Sequence, residues 1–380
     1  MRNSANDGWI DLRTLTGGIT SSADATINSV NIGKGANSVA GNTVLGETAL
    51  DASVSGGNNT AIGYQALTEN TTGTQNVALG ALALDANTTA NENTAVGYLA
   101  LTANTTGAEN TAVGSTALDA NTTGNENLAV GRNALGYNTT GDANTACGKS
   151  SLSQNTTGEY NTALGKDALG TNSTASYNTA AGHRALYLNT TGASCTAVGW
   201  GALQANTTAN NNTAVGTSSL LVNTTGTQNV AIGTDALDSN TTAANNTGVG
   251  YAALGANTTG AANVAVGAYA LDANTTESYI TAVGSYALTA NTTGTKNAAL
   301  GSGTLQSNTT GDYNTGLGSY ALSANTTASY NTSVGYQSLL ANTTGEKNVA
   351  VGREALYTNT TAPYNVAVGD QALYNNTTGT

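Results

Sequence analysis

Apolar and polar positions recur along most of this chain on a fixed 17-residue period. A clear copy is NTAVGYLALTANTTGAE, from Asn93 to Glu109. With Gly97 as slot zero, Val96 precedes it, and Ala100 and Leu101 follow at slots +3 and +4. Asn104 stands at +7 and Thr106 at +9. The glycine recurs twenty times, from Gly46 to Gly369, and the leucine follows it each time, from Leu50 to Leu373. The asparagine runs from Asn70 to Asn376 and is missing only in the first copy. A unit this short buries its apolar side only by stacking on the next, so the period decides the architecture.

The pattern predicts two short strands per unit, one over NTAVG and one over the ALxAN stretch. Between them the glycine takes a tight turn, where positive φ costs it nothing. NTTG is the second turn. A long amphipathic helix is excluded, since regularly spaced glycines and Asn-Thr-Thr runs oppose it. The expected fold class is all-β: a parallel β-solenoid or β-roll of about twenty 17-residue rungs. The leucine and valine columns are expected to point inward. Asn104 and Thr106 are expected in internal ladders, their side chains bonding the rungs above and below. The alanines leave room for another sheet or another chain. Gly97, Leu101, Asn104, Thr106 and Val96 therefore form the structural set.

Residues 1–24 fall outside the repeat and read as an N-terminal cap or connector, with WIDLRTL as a short strand around Trp9. Residues 25–57 read as irregular opening rungs: Gly33 precedes Gly46 by 13 residues, and Ser53-Val54-Ser55-Gly56 replaces Asn-Thr-Thr-Gly. Atypical terminal units are expected, because the first rung must close an open edge. Residues 58–380 read as the regular shaft. The sequence stops in mid-repeat at Thr380 with no C-terminal cap in view, so the expectation is a molecule that continues or a piece of a longer one. The first residues lack the apolar run of a secretory leader, so the chain as given is expected either to be made for the cytosol or to be cut from something longer.

Composition sharpens this picture. Charged residues make up 8 % of the chain, against roughly 25 % in ordinary domains. Asn, Thr, Ala and Gly replace them at fixed slots. The net charge of -12 and a pI near 4.2 disfavour nucleic acid and anionic membrane surfaces, which call for basic patches. No apolar run approaches the ~20 residues of a membrane span, so no membrane insertion is expected. Cys147 and Cys195 stand about three rungs apart, roughly 14 Å at ~4.8 Å per rung. No disulfide spans that, and both read as substitutions at packed positions.

Catalytic chemistry has little to draw on. The single histidine, His183, occupies a variable surface slot. No nucleophile–base arrangement and no metal-ligand spacing can be assembled, so no catalytic residue, metal or cofactor is expected. Asp85, Asp119, Asp238 and Asp272 share slot +5 but stand rungs apart, without the nonapeptide pattern of calcium-binding rolls. Asn-Thr-Thr or its variant Asn172-Ser173-Thr174 occurs nineteen times and is formally a glycan acceptor. A turn with an asparagine ladder explains the same period without a glycan. The seventeen tyrosines all lie at variable, hence surface, slots. Tyr160 with Tyr177, Tyr313 with Tyr330, Tyr269 with Tyr286, and Tyr357 with Tyr374 share a slot in adjacent rungs and predict exposed aromatic stacks. Tyr313, Tyr330, Tyr160, Tyr177, Tyr357 and Tyr374 are candidate glycan contacts, because flat aromatics combine apolar area with a polar tip.

NTAVG followed by AL resembles the NSVAIG-type repeat of YadA-like trimeric adhesin heads, most closely at SVNIGKGANSVAGNTVLG, Ser29 to Gly46. The longer unit NTAVGYxALxxNTTGxxN, with the lead-in DATINSVNIGKG, is more similar to repeats of bacteriophage tail-fibre proteins. The resemblance covers roughly residues 24–380. It implies a side-by-side homotrimer in a virion, the rigid shaft of a tail fibre, with other tail proteins and a host-surface glycan as partners. A bacterial surface adhesin is the alternative. An ice-binding solenoid is a third reading, weakened here because the threonines fall in turns. The period of 17 exceeds that of the adhesin heads, which puts the trimer geometry in question. No terminal receptor-binding domain of the tail-fibre kind is legible.

Overall fold

The computed structural model describes residues 2–3, 6–9, 24–27, 29–377 and 379. Most of WIDLRTL therefore lies outside the described residues. Strands β1 (Arg2–Asn3) and β2 (Asn6–Trp9) pair antiparallel. Strands β3 (Ala25–Ile27), β4 (Val30–Gly33) and β5 (Thr43–Gly46) form an antiparallel start to a second sheet. From β5 on, every pairing is parallel. Strand β6 (Thr60–Ile62) begins a series of three-residue strands that ends at β24 (Val366–Val368). Each residue pairs with the one 17 positions later, as in Thr94 with Thr111 and Ala95 with Ala112. The chain is an all-β parallel solenoid of about nineteen turns. No pairing joins β24 back to β3, and at ~4.8 Å per rung the two ends stand about 90 Å apart.

Each rung contains one strand, not the expected two. The ALxAN stretch is a turn, because slots +2 and +4 are both left-handed: in one rung Leu99 has φ 57° and Leu101 φ 54°. All twenty column leucines share this conformation, at φ 50–56°. For an L-residue it costs roughly 1–2 kcal/mol. Full burial of the leucine side chain, about 1.5–3 kcal/mol, offsets that cost. Glycine would be free of strain there but would leave the core empty. The turn still hydrogen-bonds along the axis: Leu99 N donates to Ala81 O of the preceding rung at 3.1 Å, and Leu101 N to Ala117 O of the next at 2.9 Å.

The core closes within one chain. Leu101, Ala100 and Ala95 are fully buried, and the same three slots repeat along the rod. The alanines thus pack inside the solenoid and are not surfaces for another chain. Asn104 is buried and donates its amide to Asn87 Oδ1 at 3.2 Å and to Gly107 O of its own turn at 2.8 Å. A second, unforeseen ladder runs through slot -4, where Asn110 N donates to Asn93 Oδ1 at 3.0 Å and Asn93 Nδ2 to Gly107 O at 2.9 Å. Thr106 is exposed and belongs to no ladder. Its neighbour Thr105 does, donating Oγ1 to Thr122 O at 3.0 Å. The ladders are interrupted where Cys195 and Ile280 replace the slot -4 asparagine, and in the rung before Ile280 the buried Asn274 Oδ1 has no partner.

Leu203 is fully buried in its column. Leu203→Ala is expected to cost ~2–5 kcal/mol through the cavity it leaves. A chemical melt followed by circular dichroism would measure this, and an unchanged midpoint would contradict the inward assignment.

Candidate functional site

Residues alternate sides along a strand. In Thr94-Ala95-Val96 the alanine is buried and its two neighbours face out. The valine column therefore points outward, against expectation: Ala95, not Val96, supplies the strand's core residue. Repeated from β6 to β24, this arrangement makes a continuous exterior face of two columns. Slot -3 is threonine in twelve of the nineteen strands and Val, Leu or Ala in the rest. Slot -1 is Val, Leu or Ile except at Cys147 and Ala181. No charged residue enters either column over the whole length. Val198 and Leu300 are 39 % and 49 % exposed, so the face is open to solvent.

The two cysteines separate here. Cys147 lies exposed in the outward face and is not a packed residue. Cys195 is buried in the slot -4 asparagine column, where its N donates to Asn178 Oδ1 at 2.9 Å. Burial pushes its thiol above the ordinary range.

The tyrosines form the second surface feature. The rings of Tyr160 and Tyr177 stack at 5.3 Å and 6°, those of Tyr313 and Tyr330 at 5.1 Å and 6°. Tyr269 with Tyr286, and Tyr357 with Tyr374, do the same at 5.2 and 4.9 Å. Successive rungs carry like backbone at like slots, so identical side chains come out nearly parallel. Tyr160, Tyr177, Tyr313 and Tyr330 are exposed, and Tyr357 and Tyr374 half-buried. Within each pair the inner faces are turned toward one another. The pair offers a ligand its ring edges, phenol groups and outermost faces, not a broad open platform.

Slot +12 contains more than tyrosine. In the last rungs it reads Tyr279, Lys296, Tyr313, Tyr330, Lys347, Tyr364. Lys296 Nζ donates to Tyr313 Oη at 2.8 Å and sits 4.8 Å from its ring centre. Lys347 Nζ stands 5.1 Å from the Tyr364 ring. The hydrogen bond from Lys296 to the phenol raises the pKa of its ammonium. Reading the slot, and not the residue type, would have found these lysines.

Asp85, Asp119, Asp238 and Asp272 are half-buried at slot +5. Desolvation raises all four carboxyl pKa values, and the charge of Asp238 adds to this at Asp272. His183 is half-buried. Among the described residues no three His, Cys, Asp or Glu side chains come together in a metal-binding group. No described helix is long and apolar enough to cross a membrane. Protein-family models and curated proteins provide no match to this chain.

The raised aspartates predict a pH effect of definite sign. Each binds its proton more tightly folded than unfolded, so their stabilising effect is full below the ordinary carboxyl pKa of about 4 and is lost as pH rises through the folded values. The rod is expected to melt at a higher temperature near about pH 4.5 than near about pH 7. Replacing all four by asparagine should flatten that difference, as read from melting curves across the range. A melting temperature that climbs toward neutrality in both proteins would contradict the assignment.

Proposed function

We propose that this chain is the shaft of a fibre, a stiff spacer that stands side by side with identical copies of itself. The observation that supports it is the outward face from β6 to β24, uncharged on every rung. Three extended residues span about 10 Å and nineteen rungs about 90 Å, so each chain presents roughly 900 Å². A standard protein interface takes about 800 Å² per partner. A copy of the same chain is the partner whose rungs repeat at the same spacing over that whole length. With the resemblance of the longer repeat to tail-fibre proteins, our reading is a homotrimeric phage tail-fibre shaft, carried on the virion. It would hold a host-recognition element away from the particle, with no catalytic role of its own. A bacterial surface adhesin would use the same geometry.

Light scattering at several concentrations tests the assembly. The expected mass is three times the 37.5 kDa of one chain. A lysine at Val215 and at Val249, both outward in their strands, should reduce it to one chain with an unchanged circular dichroism spectrum. A wild-type mass of one chain at all concentrations would end the trimeric reading.

One observation favours a second reading. Rows of threonine hydroxyl and valine methyl groups lie on the outward sheet face, and threonines recur in the turns as well. Such an ordered array suits an ice-binding surface. Thermal hysteresis in a single-chain rod, lost on Val215→Lys, would support that reading over the fibre.

A further inference from the structure

The repeat fails conspicuously at one outward slot. Slot +5 holds Thr, Asp, Tyr, Gln or Leu in most rungs, but three successive rungs have Gly136, Ser153 and Gly170. At Ser153 and Gly170 the small side chains line a groove of about 600 Å³. Its volume falls within the range of about 300–1,000 Å³ typical of ligand pockets. Gly170 within the groove, and Gly136 one rung before Ser153, are each overlain by a side chain. The Asn133 amide reaches over Gly136. The Tyr187 ring leans across Gly170, so close that a Cβ there would stand 2.7 Å from its Cε2.

The walls are polar and partly unoccupied. Asn133, Ser150 and Gln154 line the groove, and their side chains make no hydrogen bond within the described chain. Thr171 Oγ1 donates to Tyr187 O at 2.8 Å, leaving its oxygen free to accept from a ligand. Asp167 faces the groove with Lys166 Nζ 3.6 Å away. The Arg184 guanidinium lies 5.6 Å from the Tyr187 ring centre and helps hold that ring. The groove therefore combines free amide and hydroxyl groups, one carboxylate acceptor and an aromatic wall. Asp167 opposes an anionic ligand, and so few apolar side chains suit no greasy one.

We propose that this groove, centred on Ser153 and Gly170 and walled by Asn133, Gln154, Asp167 and Tyr187, binds a short neutral oligosaccharide. Hydroxyl groups of the sugar would donate to Asp167 and exchange hydrogen bonds with Asn133 and Gln154. Its less polar face would lie against Tyr187. The site is distinct from the tyrosine stacks and does not depend on the oligomeric reading, because the outward sheet face takes no part in it.

Saturation-transfer NMR on the full chain tests this, with cellotriose, maltotriose, chitotriose and N-acetyllactosamine as separate probes and a sulfated disaccharide as the anionic counterpart. We expect transfer to at least one neutral sugar. Gly170→Leu should abolish it, since leucine already occupies this slot at Leu221 and Leu340. Circular dichroism establishes that the variant folds. Tyr187→Ala serves if it does not, and should weaken the signal at least tenfold. Tyr313→Ala with Tyr330→Ala should leave it unchanged. Transfer to no neutral sugar, transfer only to the sulfated one, or transfer that survives Gly170→Leu would each overturn the proposal. Loss on the stack variant alone would move the sugar to Tyr313 and Tyr330 and overturn the groove. The mass measurement judges the fibre reading separately.

Discussion

Gly216→Ala is expected to break the rod near its middle. Gly216 has φ +136°, a region open in practice to glycine alone. Space is closed as well: an added Cβ would stand 2.5 Å from Gly233 O and 2.6 Å from its carbonyl carbon. Both are backbone atoms of the next rung, held by the hydrogen bond from Gly233 N to Val215 O at 2.8 Å. Neither can rotate aside as a side chain would. Backbone strain and overpacking together should cost about 3–6 kcal/mol. Solenoid stability is a sum of rung and neighbour terms, so the loss falls on one interface and the melt should divide into two transitions. Gly226→Ala is the control. An added Cβ there would also meet backbone, Ala243 O at 2.2 Å, but its φ is not in the left-handed region and alanine already stands at this slot at Ala209 and Ala243, so a smaller loss is expected and the difference isolates the positive φ. A single transition at the wild-type temperature for Gly216→Ala would show that the turn has another way to close.

Asn206→Ala should have the next largest effect. The Asn206 amide donates to Asn189 Oδ1 at 2.9 Å and to Ala209 O at 3.0 Å, while its Oδ1 accepts from Asn223 Nδ2 at 3.1 Å. The site is fully buried, so water does not replace these bonds. Truncation removes three bonds across three adjacent rungs: Asn189 Oδ1 loses its donor, Ala209 O keeps only the weak Cys195 thiol at 3.3 Å, and one Asn223 amide hydrogen loses its acceptor. At about 1–3 kcal/mol for each unsatisfied group, a loss of at least about 3 kcal/mol is expected. Asn206→Asp is informative beside it: it keeps the shape but removes both donated bonds and buries a charge, and should be worse than alanine at neutral pH. A urea titration that ranks both with the wild type would show that the ladder contributes little.

Some of the molecule was legible in single residues, and some was not. Leu101 and Asn104 were recognisable as internal because the leucine slot never varies and the asparagine slot only in the first copy, and so constant a side chain stacked on its own copies suits only a buried, repeating environment. Val96 was misleading. Its slot is apolar in most copies, yet it faces out, because period-two alternation assigns Ala95 to the interior. A column of valines usually means a core. Here a face without a partner inside the chain carries the same composition. Thr105 and Thr106 are identical residues in one turn, and only backbone direction makes the first a ladder member and the second a surface group. The groove at Gly170 was present as three successive small residues at slot +5, a signal visible only when the repeat is read down its columns.

The sequence by itself determined the period, the parallel register of 17, the glycine turn and the two inward columns of leucine and asparagine. These follow from repetition: identical units of this length can bury their invariant side chains only by stacking each on its own copy. The tertiary structure alone decided which side of each strand meets the core, and that the leucine stretch is a left-handed turn. Both depend on the signs of φ at slots +2 and +4. Leucine gives no warning of positive φ, since it adopts that conformation only where burial in a closed rung outweighs the strain.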